Sequence, residues 1–179
     1  MNINRLSPDD WTNAGLKALA TSGFTTLKAD TLSKALGVSR GSFYWHFSDV
    51  GAFHAAVLKR WREVAYDNIV EGVEGAAPDR LRALLSRAFR ADTHLERAVR
   101  AWATSEAMPR GIVEAMDATR LQYIQSILAG SGVHADRTMT RARIIYWAYL
   151  GHVLSAGELP SDVSDQVLDD LACLARAQI

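Results

Sequence analysis

The chain has 179 residues, 49% of them hydrophobic, which is enough for a packed core and too much for a disordered chain. Its 20 basic and 20 acidic side chains cancel, so attraction to nucleic acid must be a local property if it exists. The single cysteine, Cys173, excludes an internal disulfide framework and a cysteine zinc site. It suits a reducing compartment, and with no signal peptide and no run of ~20 apolar residues the expectation is a cytoplasmic protein that does not cross a membrane.

Helical signals fill the chain, and hairpin dipeptides are missing. Ser7-Pro8-Asp9-Asp10 starts a helix: a capping serine, a proline in the first turn, then acids at the positive end of the dipole. Gly23 ends it. A short helix over Ala29–Leu36 buries Ala29, Leu32 and Leu36 and stops at Gly37. Ser39 caps a third helix of about seven residues, and Ser48-Asp49 opens a long fourth with Phe53, Val57, Trp61 and Val64. A loop is expected over Glu71–Asp79, and Pro78-Asp79 starts a helix with Leu81, Leu84, Leu85 and Phe89. The next helix, from His94, breaks near Pro109-Arg110-Gly111, where a kink would free backbone groups for a ligand. Ile112–Leu128 and Asp136–Ser155 follow, "GELPSD" interrupts, and Ser161-Asp162 caps the last helix. The expectation is an all-α fold of about nine helices, with a three-helix module at 1–60 and a helical domain at 61–179.

The first sixty residues hold seven basic and four acidic side chains, the remainder thirteen and sixteen. The sign is that of an N-terminal module facing phosphate. Within it, "LGVSR", Leu36 to Arg40, joins two short helices as in a helix-turn-helix, with Gly37 at positive φ. Four rings crowd into Phe43–Phe47. Phe43 and Phe47, four apart, share a face that packs against Trp11, Leu32 and Phe53. Arg40, Gly41, Tyr44 and Trp45 are left outside, where such a helix enters the major groove. Arg40 can donate twice to a guanine, and Gly41 allows close approach. Tyr44 suits a thymine methyl or a phosphate, and Ser42 and His46 suit phosphate oxygens.

"GVSRGSFYWHF", Gly37 to Phe47, within Gly23 to Phe53, resembles the DNA-binding module of TetR-family transcriptional regulators. The resemblance covers the first sixty residues well and fades beyond them. It implies an obligate homodimer of all-α subunits. It also implies a palindromic operator on double-stranded DNA, most often repressed, and a small-molecule effector that releases it. Family DNA contacts map onto Arg40, Gly41, Ser42, Tyr44, His46 and, beside them, Trp45; Ser39, at the head of the same helix, is a further candidate for DNA binding. Lys28 stands where the family often has a capping Ser or Thr. The cap is lost, at about 1 kcal/mol, but lysine reaches phosphate. Val50 replaces a common basic residue at the start of the fourth helix, which leaves the backbone amides there as phosphate donors.

In the C-terminal part, His94, Trp102, Met108, Met116, Tyr123 and Trp147 are candidates to line an effector pocket, since apolar clefts between helices hold small molecules. The last two helices have apolar residues on more than one face, which calls for a second partner. A four-helix dimer interface of Ile145, Tyr149, His152, Val163, Val167, Leu171 and Leu174 is expected. Nothing implies a cofactor or metal: His94-x-Glu96 and His134-x-Asp136 lack ligand spacing, and no phosphate loop or nucleophile motif occurs. Asp117 and Arg120 read as a helical i,i+3 ion pair. The rival to effector-controlled regulation is a ligand-independent DNA-binding or protein-interaction module.

Overall fold

The computed structural model describes residues 6–74, 79–155 and 162–177. Its helices are α1 Pro8–Ser22, α2 Ala29–Ala35, α3 Arg40–His46, α4 Val50–Arg62, α5 Asn68–Glu74, α6 Arg80–Arg90, α7 His94–Ser105, α8 Ala107–Gly130, α9 Ala135–Leu154 and α10 Asp165–Arg176. A short 3-10 turn covers Phe24–Thr26, and a π-helical segment, Glu63–Asp67, joins α4 to α5. Taking 50–74 as one helical run gives nine helices, and no strand occurs among the described residues.

Local chemistry explains most of the ends. Ser7 and Asp10 form a reciprocal capping box on α1: the Asp10 amide donates to Ser7 Oγ at 3.2 Å, and the Ser7 amide donates to Asp10 Oδ2 at 2.8 Å. These bonds hold the Asp10 carboxyl below the usual aspartate range. At the end of α2 the Gly37 amide donates to Lys34 O and the Val38 amide to Ser33 O, with Gly37 at φ 68°. This pair of bonds needs a left-handed residue, so glycine is required.

Four expectations about ends are corrected. Ser39 stands at the N-cap of α3, but its hydroxyl accepts no bond from the helix. The helix expected to run into Met108 ends at Ser105, and Pro109 lies in the first turn of α8. A first-turn proline loses no helical bond, so no kink forms there. The Arg110 side chain instead closes α7, donating to Ala103 O at 3.2 Å. Helix α5 continues to Glu74, past the expected loop start. The last helix starts at Asp165 under Ser164, whose hydroxyl accepts from the Val167 amide at 3.4 Å. Ser161 and most of "GELPSD" lie outside the described residues, as does Pro78.

The chain packs as two compact units. The first takes the described residues up to Val64 together with His94–Val113. Its core is a cluster of fully buried rings, Trp11, Phe43, Phe53, Trp61 and Trp102, with Leu19, Leu27 and Leu32. Gly15 lets α1 and α4 approach: a Cβ there would lie 2.8 Å from both Phe53 Cζ and Val57 Cγ2. Trp102 of α7 stacks on Phe24 and meets His54 edge-on, and His54 Nε2 lies 2.9 Å from Leu27 O.

The second unit takes Ala65–Thr93 and the chain from Glu114. Leu81 and Leu85 of α6, Ile127 and Leu128 of α8, Ile145 and Tyr146 of α9 and Leu168 of α10 form its core. Ion pairs fasten α6 to α10. Arg90 reaches Asp165 at 2.9 Å, Arg82 pairs with Asp165 and Asp169, and Arg176 donates to Asp79 at 3.0 Å. Asp79 also caps α6, accepting from the Arg82 amide at 2.9 Å. Arg176 first, then the Arg82 amide, hold its carboxyl below the usual range against the effect of burial.

Candidate nucleic-acid interface

Helices α2 and α3 pack on each other across the Gly37 turn. The amphipathic split of α3 follows from its sequence. Phe43 is fully buried and lies 5.2–5.4 Å, centroid to centroid, from the rings of Trp11, Tyr44, Phe47 and Phe53. Phe47 closes the helix and packs on Phe53 at 5.0 Å. With that face anchored, the opposite one turns to solvent: Arg40, Gly41, Tyr44 and Trp45 are exposed, the last two at 43% and 70%. Together these two rings give the outer side of the seven-residue helix an exposed aromatic patch. Ser42 and His46 flank it and are half-buried.

Arg40 is already oriented. Its Nη2 donates to Tyr44 Oη at 3.2 Å, its guanidinium lies 5.4 Å from the Tyr44 ring centre, and its Nε is 3.3 Å from Asp30 Oδ1 of α2. The Tyr44 hydroxyl, and after it the Asp30 charge, favour the protonated guanidinium. A Cβ at Gly41 would meet only Ser39 Oγ, at 3.7 Å. Nothing inside the chain therefore requires glycine there, and the gap is open to an outside partner. Lys28 lies exposed at the N-cap of α2 with no side-chain cap bond. At the start of α4, Asp49 Oδ1 accepts from the Ala52 amide at 2.8 Å, and this bond holds the carboxyl below its usual range. A carboxylate thus occupies the helix end whose amides were expected to receive phosphate. Asp49 caps α4 as the sequence predicts, and Asp30 is the element of this surface that the sequence gives no sign of.

Residues 12–50, which span this whole arrangement, match the family described as bacterial regulatory proteins, tetR family. Residues 12–50 thus form a module similar to that of the tetR family. Among curated proteins none matches it by sequence. Solved structures share the fold over nearly its full length. A transcriptional regulator from Rhodococcus sp. Rha1 is 22% identical, with a TM-score of 0.73 over 96% of this chain and 94% of its own. The reduced form of E. coli NemR is 20% identical, with a TM-score of 0.77 over 93% and 95%. A regulator assigned to the TetR/AcrR family gives 0.78 at 19% identity over 94% and 97%. The module is therefore that of a DNA-binding transcriptional regulator.

The rest of the chain redistributes the residues expected to hold an effector. The second unit holds a partly open cavity of about 50 Å³ for water-sized molecules. Of the six candidates only Tyr123 lines it. Trp102, Met108 and His94 belong to the first unit, where Trp102 completes the core under Phe24. Met116 is buried away from the cavity, and Trp147 is 65% exposed. Arg120, read as the partner of Asp117 in a helical i,i+3 pair, is 9% exposed and lines the cavity.

The outer side of α9 is also rotated from expectation. Ile145 is buried, and with Tyr149 it lines the cavity; His152 packs on Phe89 at 5.5 Å. The exposed stripe is Ile144, Trp147 and Leu154, with Gly151 between them. On α10, Val167 and Leu174 are exposed, the latter at 71%, whereas Leu171, and Val163 just before the helix, are partly buried against the core. Among the described residues no helix is long and apolar enough to cross a membrane, and no group of three His, Cys, Asp or Glu gathers to hold a metal ion.

Proposed function

We propose that this chain is a cytoplasmic homodimeric repressor that holds a palindromic operator through α2 and α3 and releases it when a small molecule enters the cavity of the second unit. The observation that carries the reading is the exposed Arg40-Tyr44-Trp45 face, fixed from behind by Phe43 and Phe47. Lys28, Ser39, Ser42 and His46 would position the module on phosphate, and Arg40 would read bases. The exposed stripe of α9 with Val167 and Leu174 supports a two-fold interface, because monomers seldom leave such rows in water. Two-fold symmetry supplies the two half-sites that one short helix cannot.

The test is selection of bound duplexes from a random pool, then gel shifts with the enriched sequence. A palindromic consensus lost in Tyr44→Ala, with the fold intact, supports the reading. No enrichment over the input pool would refute it. Trp147→Glu is expected to convert dimer to monomer by light scattering; a subunit mass near 19.6 kDa for the parent chain would remove the dimer altogether.

A further inference from the structure

Arg40 opens α3 on its solvent side, and its own chain holds it from two directions. Asp30, in the first turn of α2, places Oδ1 3.3 Å from Arg40 Nε. One turn along α3, Tyr44 Oη accepts from Arg40 Nη2 at 3.2 Å, and the guanidinium lies 5.4 Å from the Tyr44 ring centre. A guanidinium carries five N–H groups, one on Nε and two on each terminal nitrogen. The two contacts take up Nε and one hydrogen of Nη2. Both hydrogens of Nη1 and the second of Nη2 have no partner among the described residues. Arg40 and Asp30 are exposed at 62% and 63%, so the contact adds little to stability. An acid in the first turn of α2 suits the helix dipole, but the dipole does not explain why its carboxylate reaches across to the next helix.

We infer that Asp30 and the Tyr44 hydroxyl are positioning groups that aim Arg40 at a guanine in the major groove, so that these three residues set the preferred base at one position of each half-site. The inference rests on the operator reading above and names the base that is read. Three physical points carry it. The unpartnered Nη1–Nη2 end can donate two parallel bonds. Only guanine answers with two acceptors, O6 and N7; adenine and cytosine present an amino donor there, and thymine a single oxygen. The same guanidinium would also fit a phosphate, and a phosphate contact carries no sequence information. The Asp30 carboxylate occupies the Nε side and repels a phosphate at close range, which favours the base over the backbone. A long side chain also loses freedom when it binds, and one already tethered loses less. The tether is firm because the backbone bonds of the Gly37 turn, Gly37 amide to Lys34 O and Val38 amide to Ser33 O, fix α2 against α3. Gly41, next to Arg40, projects no side chain that would keep the helix off the base.

Fluorescence anisotropy of the full chain tests this on the selected duplex and on a panel in which each guanine of a half-site is replaced in turn, by A·T exchange or by 7-deazaguanine, which lacks the N7 acceptor. The parent is expected to lose about 5–150-fold at one guanine on A·T exchange, the range of a bidentate base contact, and to lose affinity at the same guanine with 7-deazaguanine. Arg40→Ala should abolish that preference. Asp30→Asn and Tyr44→Phe each remove one tether and keep the side-chain shape, and each should cut the preference by about two- to fivefold. In the Arg40→Ala background Asp30→Asn should change the preference no further, whereas the effect of the lost charge on non-specific binding should persist. A preference that survives Arg40→Ala, that is unchanged in Asp30→Asn or in Tyr44→Phe, or that Asp30→Asn cuts equally with and without Arg40 would each overturn the inference. In those three cases the operator reading stands, because a duplex has been selected and bound. If no duplex is enriched from the pool, the operator reading falls and the inference with it.

Discussion

Phe43 and Tyr44 are neighbours in the chain and face opposite ways, so truncating each should give opposite failures. Phe43 is fully buried, with four rings around it at 5.2–5.4 Å. Removing its ring leaves Trp11, Phe47 and Phe53 facing a void that rigid rings cannot collapse to fill. Phenylalanine-to-alanine changes of this kind cost about 3–5 kcal/mol. At about 2–4 °C per kcal/mol for a chain of this size, the melt should drop by about 6–20 °C. Phe43→Leu refills most of the volume and should cost clearly less. Tyr44→Ala removes a half-exposed ring, so its melt should stay within about 1 kcal/mol of the parent, while specific DNA binding is lost. Circular dichroism melts paired with gel shifts on a selected duplex give both readouts. A Phe43→Ala variant that melts like the parent yet fails to bind DNA would place that ring outside and refute the packing of α3.

Further outcomes follow from single contacts. Gly15→Ala should destabilise: forcing a methyl against the buried Phe53 ring and Val57 costs about 1–3 kcal/mol, against about 0.5–1 kcal/mol gained in helix propensity. An unchanged or raised melting temperature would show that α1 and α4 are not so close. Asp30→Asn frees Arg40 from its tether and removes a negative charge beside the DNA face. Non-specific duplex affinity at low salt should rise by about 1.5–5-fold, the range of an exposed ion pair, and discrimination should fall; lower affinity in fluorescence anisotropy would contradict this. Asp79 has a folded pKa below its unfolded value, so its contribution is present above the unfolded value and is lost as pH falls through the folded one. Parent melts should therefore weaken from about pH 6 toward pH 3 more steeply than those of Asp79→Asn, and parallel curves would show that the Arg176 bond adds no pH-linked stability.

Local rules decided the module that meets DNA. Gly37 announces the turn because the bonds there demand positive φ, and Phe43 and Phe47 announce the inner face because four residues make one helical turn. All of that chemistry lies within about a dozen residues and needs no distant partner to be read. The second unit was different. Around residues 144–149 of α9, apolar side chains leave almost no polar face, so periodicity cannot tell Ile145 from Ile144 or Tyr149 from Trp147. Only packing against Phe89 and the neighbouring helices sent Ile145 and Tyr149 inward and left Ile144 and Trp147 in solvent. Trp102 has the composition of a pocket residue, but α7 packs on α1, and its ring went to the core of the first unit. Arg120 shows the limit most clearly. An arginine three residues after an aspartate reads as a helical ion pair, and a sequence does not record burial. The tertiary structure placed that one charge in an aromatic cavity, where the energy of a guanidinium depends on what surrounds it rather than on its neighbours in the chain.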